Sequence, residues 1–413
     1  MTLVIVDPFS SGAVFARRAR ELYGIDSIAV ITSTALPASV TRSYVPGDFV
    51  GEVTFTDVPE TVAAVEKLCG GKPKYILCGS EPGVEVFDTL ATHWDLRPNS
   101  GESAARRDKF LMQRRLADAG VRHIPHHQGS NTKSIVDWCA SSGLAEFVVK
   151  PVRSFGTDGV FFCSSLEEVR VACDKLFGRS DFSGKTINDL LVEERLIGPE
   201  FVVDSVSLDG THFVVNMFRY AKETVHGSPV YRTMSSVEVG EYPEIVEYVR
   251  QALTALGIDH GPAHSEIIVT AEGPTLIETG ARMHGGQGPK LVEASSTHSL
   301  IDLALASRVA PEVFHLVTQT QPKLHKGVVE CFLSSARKGV VRANRVRELC
   351  GELDSFLFDT CGQVPGDHVP KTTDLITSYG RVVLANADLE RLKRDTEHVL
   401  DLDDRCALLV LED

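Results

Sequence analysis

Two glutamates, Glu266 and Glu278, lie on β-type runs that flank Ala271-Glu272-Gly273, a three-residue loop signal containing glycine. A hairpin centred on Glu272 sets them directly opposite each other, with Cβ atoms about 5 Å apart on one face of the sheet. Like charges so placed destabilise a strand pair, and a shared proton or a bound cation would offset the repulsion. Oxygen ligands with no cysteine nearby favour a hard ion, Mg²⁺ or Mn²⁺, usually shared with a substrate phosphate. His264 and Arg282 have the same parity along the chain and can point into the same cleft, where an arginine clamps a carboxylate or a transferring phosphoryl group. His284 and Gly285-Gly286 follow close behind. The plainer reading of these residues is an exposed hairpin whose glutamates face water.

Three further stretches bear on phosphates and nucleotides. Lys150 ends the run Phe147-Val148-Val149, and a loop with Ser154, Gly156 and Gly159 leads to another strand. Backbone N–H groups of such a loop can cradle phosphates, and glycine permits close approach. It is not a Walker loop, because Gly-Lys-Ser/Thr is absent and a strand, not a helix, follows. Leu191-Val192-Glu193-Glu194-Arg195-Leu196 runs a strand into two carboxylates, and Gly198-Pro199-Glu200 opens the next strand. A backbone of this kind can present N–H and C=O groups to a planar base, with a carboxylate for ribose hydroxyls. Lys109 falls in a helix expected over residues 103–119. Taken singly, these stretches read equally as a hairpin with a solvated lysine, a charged edge and a helical charge. Lys222 and His226, in the polar stretch after Phe218, are likewise expected to be solvated.

The elements that must position these groups follow from the apolar pattern. An apolar run at residues 3–6, a loop, a helical pattern through Leu22 and a second run at 27–31 form the start of an open parallel α/β layer. Residues 75–78 add a later strand. Arg97-Pro98-Asn99-Ser100-Gly101 is turn chemistry and marks a boundary. From Phe147 onward, short β-type runs recur at 147–149, 159–163, 190–193, 201–208, 212–219, 265–269 and 275–278. Helices are expected at 166–176 and 243–256, and a final α+β piece follows residue 316.

Bulk composition fits this reading. The chain has 413 residues, 43% hydrophobic and 24% charged, as expected of a multidomain globular protein. No transmembrane run or signal peptide is expected. The net charge of −14 argues against nucleic acid or an anionic membrane as partner. Nine scattered cysteines without a C-x-x-C pair are expected to be reduced thiols of a cytoplasmic protein, not a zinc site.

In this order the motifs resemble the ATP-grasp superfamily, and within it the carboxylate–amine ligases that join L-amino acids into dipeptides. At motif level the resemblance runs from about residue 100 to 286, and Val6-Asp7-Pro8-Phe9-Ser10-Ser11-Gly12 is also similar to that subgroup. The resemblance implies an ATP-grasp fold of α/β and α+β parts, with the nucleotide sandwiched between two α+β subdomains. The parts are a Rossmann-like pre-ATP-grasp domain at 1–100, a small subdomain with the glycine loop at 101–195, a large subdomain with the metal site at 196–315, and a C-terminal subdomain at 316–413. It implies ATP and Mg²⁺ as cofactors, with Mn²⁺ as a substitute, and small-molecule carboxylate and amine substrates.

The same resemblance places Lys109 and Lys150 on the phosphates, under a loop containing Ser154 and Gly156. Glu193 falls near the adenine amine, the Glu194 and Leu196 backbones along the base edge, and Glu200 at the ribose. Glu266 and Glu278 match the metal-bridging acids. Arg282 matches the arginine that holds the acyl phosphate or a substrate carboxylate, and His264 joins it in lining the acyl or amine pocket. The implied reaction forms an acyl phosphate, then an amide, and releases ADP and phosphate. Gly280 departs from the pattern, since many members carry a metal-binding asparagine there. Related ligases are often dimers, so a homodimer is among the assemblies open to the chain. The alternatives are a ligase or carboxylase for non-amino-acid substrates and a non-catalytic nucleotide-binding protein. A dinucleotide-dependent oxidoreductase is disfavoured because no G-x-G-x-x-G follows the first strand.

Overall fold

The computed structural model describes residues 1–32, 41–153, 159–180, 185–225, 228–373 and 377–412, and it begins with the expected parallel layer. Thr2–Val6 lies between Asp26–Ile31 and Tyr75–Cys78, with Gly51–Thr54 beyond Asp26–Ile31. The inner strands are buried on both faces, which explains their near-continuous apolar runs. Loops leave the carboxyl ends of the neighbouring strands Thr2–Val6 and Tyr75–Cys78, the edge where open parallel sheets bind ligands. These loops are pressed together: a Cβ on Gly12 would stand 2.1 Å from the Gly79 carbonyl oxygen.

The helix expected over 103–119 is broken. A 3₁₀ turn, Ser103–Arg106, precedes the α-helix Lys109–Asp118, because Asp108 is extended and its carboxylate accepts from the N–H groups of Phe110 and Leu111. Lys109 is therefore the first residue of its helix. Its backbone N–H donates to the Val152 carbonyl at 3.0 Å, which ties the helix start to the end of the strand bearing Lys150.

Beside a three-stranded sheet of His368–Val369, Gly339–Asn344 and Leu409–Leu411, two antiparallel sheets carry the site residues. The smaller has the spatial order His126–Gly129, Leu190–Glu194, Phe147–Pro151, Phe161–Cys163. The helix Leu166–Leu176 packs on it, capped by Ser165, with Val169, Cys173 and Leu176 in its core. The larger has eight strands, ordered Gly273–Gly280, Gly261–Thr270, Glu200–Leu208, Thr211–Val225, Ser228–Val237, Gly327–Leu333, Gly380–Asn386, Phe356–Asp359. Ser228–Val237 was not expected, because Tyr231-Arg232-Thr233 and Ser235-Ser236 hide its alternation; pairing with a neighbour on each side makes it a strand. Three strands from beyond residue 316 complete this sheet, so the C-terminal piece is continuous with the part that carries Glu266 and Glu278. Arg232, 1% exposed, reinforces that continuity through Asp403 and Asp404, each at 2.8 Å.

Candidate active site

The hairpin places Glu266 opposite Glu278, as expected, but through a different turn. Thr270 pairs with Gly273, so the turn is the two residues Ala271 and Glu272. A register shift follows, with Ile267 opposite Leu276, and the extra residue Ile277 restores the pairing of the two glutamates.

One face of the large sheet forms a ladder of polar rungs. His264 pairs with Gly280 on one side and Asp204 on the other, and Asp204 pairs in turn with Asn216. On the next rung, Glu266 lies between Glu278 and Val202. Two residues further, Ile268 pairs with Glu200, whose other neighbour is Tyr220. Period-two alternation therefore sets Glu200, Asp204, His264, Glu266 and Glu278 on a common face.

Cations reach this face from other elements. Lys109 Nζ stands 2.9 Å from Glu278 Oε2, and the charge of Lys150 also acts on Glu278. Lys150 itself is bonded to Glu193, and both side chains are buried. Glu193 Oε2 is buried without a hydrogen-bond partner. Lys222 is exposed, as expected, and also bonds Glu200, which accepts from Tyr231 at 3.1 Å as well, because strand pairing brings Lys222 beside Tyr231. The linker between the sheets fits tightly. A Cβ on Gly198 would stand 2.0 Å from the Val269 carbonyl oxygen, and Val269 N–H donates to Pro199. The Glu194 N–H is bonded to the Pro125 carbonyl.

A family model described as an ATP-grasp domain matches residues 144–290, which span Lys150, Glu193, Glu200, the hairpin and Arg282. Dapdiamide A synthase from Enterobacter agglomerans is 31% identical over 336 residues, covering 80% of this chain and 79% of that protein. The chain belongs to the ATP-grasp carboxylate–amine ligases. Its fold resembles that of an L-amino acid ligase from Bacillus licheniformis, with a TM-score of 0.73 and 16% identity over 100% of this chain and 99% of that one. A carboxyaminoimidazole ribonucleotide synthase from Aspergillus clavatus, solved with ATP, gives a TM-score of 0.69 at 12% identity, covering 98% of both chains. This chain is thus an ATP-dependent ligase that binds a nucleotide. Among its described residues, no helix is long and apolar enough to cross a membrane.

The electrostatics of the ligase follow from these neighbours. Burial raises the Glu278 carboxyl, but Lys109, Lys150 and Arg282 outweigh it and hold it at about 2. Burial disfavours the Lys109 ammonium, yet Glu278, Glu81 and Glu266 raise it above its ordinary value. Burial also works against a charged His264, but Asp204 and Glu266 raise it to about 9.

Several groups in this cleft escaped the sequence. Asp204 is fully buried and accepts from Asn216 Nδ2 at 2.8 Å, His264 Nδ1 at 3.0 Å and His284 Nδ1 at 3.3 Å. Asp204, His264 and His284 bring potential ligand atoms within 4.8 Å of one another. The alternation Glu200-x-Val202-x-Asp204 carried the signal. Glu81, from the loop after Tyr75–Cys78, receives Arg282 Nε at 3.0 Å and Arg107 Nε at 3.5 Å. Ser10, from the loop after the first strand, accepts from the Gly286 N–H at 3.1 Å. The structure places Glu200, His264, Glu266 and Glu278 on one sheet face, with Lys109 against Glu278, Lys150 against Glu193 and Arg282 against Glu81. Glu194 and Leu196 lie at and just beyond the end of the Leu190–Glu194 strand. Ser154, Gly156 and His226 lie outside the described residues.

Proposed function

We infer that this ligase joins two amino acids. The carboxylate of one takes the γ-phosphoryl group of ATP to form an acyl phosphate and ADP. The amine of the other attacks the acyl carbon, phosphate leaves, the ammonium proton passes to solvent, and a peptide bond remains. The observation that carries this reading is Lys109 held against Glu278, opposite Glu266, with Lys150 held against Glu193.

Glu266 and Glu278 are assigned to Mg²⁺, with Mn²⁺ as a substitute. Paired carboxylates without thiolates fit a hard ion. Such an ion, when bound, neutralises charge on transferring phosphate oxygens. Lys109 and Lys150 are assigned to the phosphates. Each is already held by a carboxylate, so its position is set before the triphosphate arrives. Glu193 Oε2, buried and unpartnered, suits the exocyclic amine of adenine. The Glu194 and Leu196 backbones are assigned to the base edge, and Glu200 to the ribose. Ser154 and Gly156 belong to the loop assigned to close over the phosphates, which would keep water from the acyl phosphate. Arg282 is assigned to the acyl phosphate, and His264 lines the same pocket. The division at residues 100, 195 and 315 is proposed with the last two parts sharing the eight-stranded sheet and the nucleotide between the second and third. Amino acids as substrates draw support from the likeness to an L-amino acid ligase.

The test is phosphate release by the purified ligase with ATP and Mg²⁺ across an all-by-all matrix of amino acids, with mass analysis of active pairs. The expected product mass is the sum of the two substrates less one water. Hydroxylamine should trap the acid substrate as a hydroxamate when no amine is present. ADP release that depends on bicarbonate and ignores amino acids would sink the reading in favour of a carboxylase.

A further inference from the structure

A Cβ on Gly280 would stand 2.6 Å from Glu81 Oε2 and 3.2 Å from Arg282 Nε. The register partner of Gly280 is His264, one rung from the Glu266–Glu278 pair. His264 is 7% exposed, and its Nδ1 lies 3.0 Å from the fully buried Asp204 Oδ1. That bond aims Nε2 at Glu266, 3.6 Å from Oε1. The separation is an ion-pair distance, beyond ordinary hydrogen-bond range. It exceeds by about 0.6 Å the roughly 3 Å between neighbouring ligands of an octahedral ion bound at about 2.1 Å, so the two side chains would close on a bound ion. A carboxylate bonded to one imidazole nitrogen while the other faces outward is the arrangement that orients metal-ligating histidines. Asp204 is in turn fixed by Asn216, and the ring of His284 lies 4.2 Å from that of His264.

We propose that His264 Nε2 is a metal ligand, with Asp204 as its positioning residue and Glu266 as its neighbour on the ion. The inference rests on the assignment of a divalent ion to Glu266 and Glu278. Binding releases any Nε2 proton to solvent and gives the nitrogen lone pair to the ion. One nitrogen among oxygens shifts preference toward Mn²⁺ relative to an all-oxygen site.

Pulsed electron paramagnetic resonance of the full-length ligase with Mn²⁺ and ADP tests this directly. The expected spectrum shows a directly bound ¹⁴N, which changes to the ¹⁵N pattern when the protein is labelled with ¹⁵N-histidine. The coupling should be lost in His264→Gln, whose amide can still donate to Asp204, and retained in His284→Gln. The labelled native protein answers the question even where a variant folds poorly. Absence of histidine nitrogen coupling in that protein, with Mn²⁺ bound, overturns the proposal. Separately, Glu278→Gln should weaken Mn²⁺ binding to the ADP complex about tenfold or more. Unchanged affinity would overturn the glutamate assignment, and this inference with it.

Discussion

Lys109 Nζ lies 2.9 Å from Glu278 Oε2, so the carboxylate facing Glu266 across the hairpin is neutralised from the start of a separate helix. The repulsion between the two glutamates is therefore offset in this state by protein cations, with His264 standing 3.6 Å from Glu266. Glu278→Gln keeps the shape and removes the charge. We expect amine-dependent ADP release to fall by about 100-fold or more, the scale of losing one preorganised charge-stabilising group. Circular dichroism should show an unchanged fold. Turnover close to the native rate would defeat the metal assignment.

Gly280 and Glu81 are coupled by space. Gly280→Asn brings a Cβ within 2.6 Å of Glu81 Oε2 and should disturb the Glu81–Arg282 pair. The single variant is expected to lose about 1–3 kcal/mol of stability, typical of overpacking. Glu81→Ala in the same chain should recover much of that loss. Additive effects of the two changes in urea unfolding would show that the contact does not govern position 280.

Asp204 is a buried charge with three donors, so its removal should be costly. In Asp204→Ala, Asn216, His264 and His284 lose their shared acceptor. We expect a loss of about 3–5 kcal/mol. Asp204→Asn, which can still accept through one oxygen, should lose less. Denaturant midpoints of the two variants check the order, and equal midpoints would contradict it.

Glu330 supplies a pH test away from the cleft. It is 4% exposed, and burial pushes its carboxyl up to about 7 despite Arg381 Nε at 3.4 Å. Because the folded value exceeds the ordinary 4.5, the folded protein binds more protons than the unfolded chain between about pH 4.5 and 7. The contribution of Glu330 to stability is greatest at the acid end and declines as pH rises through that window, by on the order of 3 kcal/mol in total. Glu330→Gln should flatten this part of the stability curve and raise the midpoint of unfolding at pH 8. A native curve of unchanged slope in the variant would refute the role of Glu330.

The sequence alone determined the type and order of the main elements, because these follow from local patterning. Continuous apolar runs made the parallel strands, and two β-type runs about a glycine-containing loop marked the hairpin. The helix Leu166–Leu176 matched its expected span. The opposition of Glu266 and Glu278 was legible for the same reason, although its expected three-residue turn proved to be a two-residue turn with a bulge at Ile277. The extended Asp108 backbone, which separates two helical pieces, was not legible, because Asp can occupy either a cap or a helix interior.

Only the tertiary structure decided the partners. Lys109, Lys222 and Glu81 each read as a solvated surface charge or gave no signal at all, since a charged residue in a polar stretch carries no mark of what lies across space. Pairing of distant strands put Lys222 on Glu200, and docking of the first domain put Glu81 against Arg282 and Gly280. Asp204 sat unnoticed in an apolar strand, because its three donors come from Asn216, His264 and His284. Short-range patterning is written in neighbouring residues, whereas the balance of buried charge depends on contacts across 12 to 201 positions of chain.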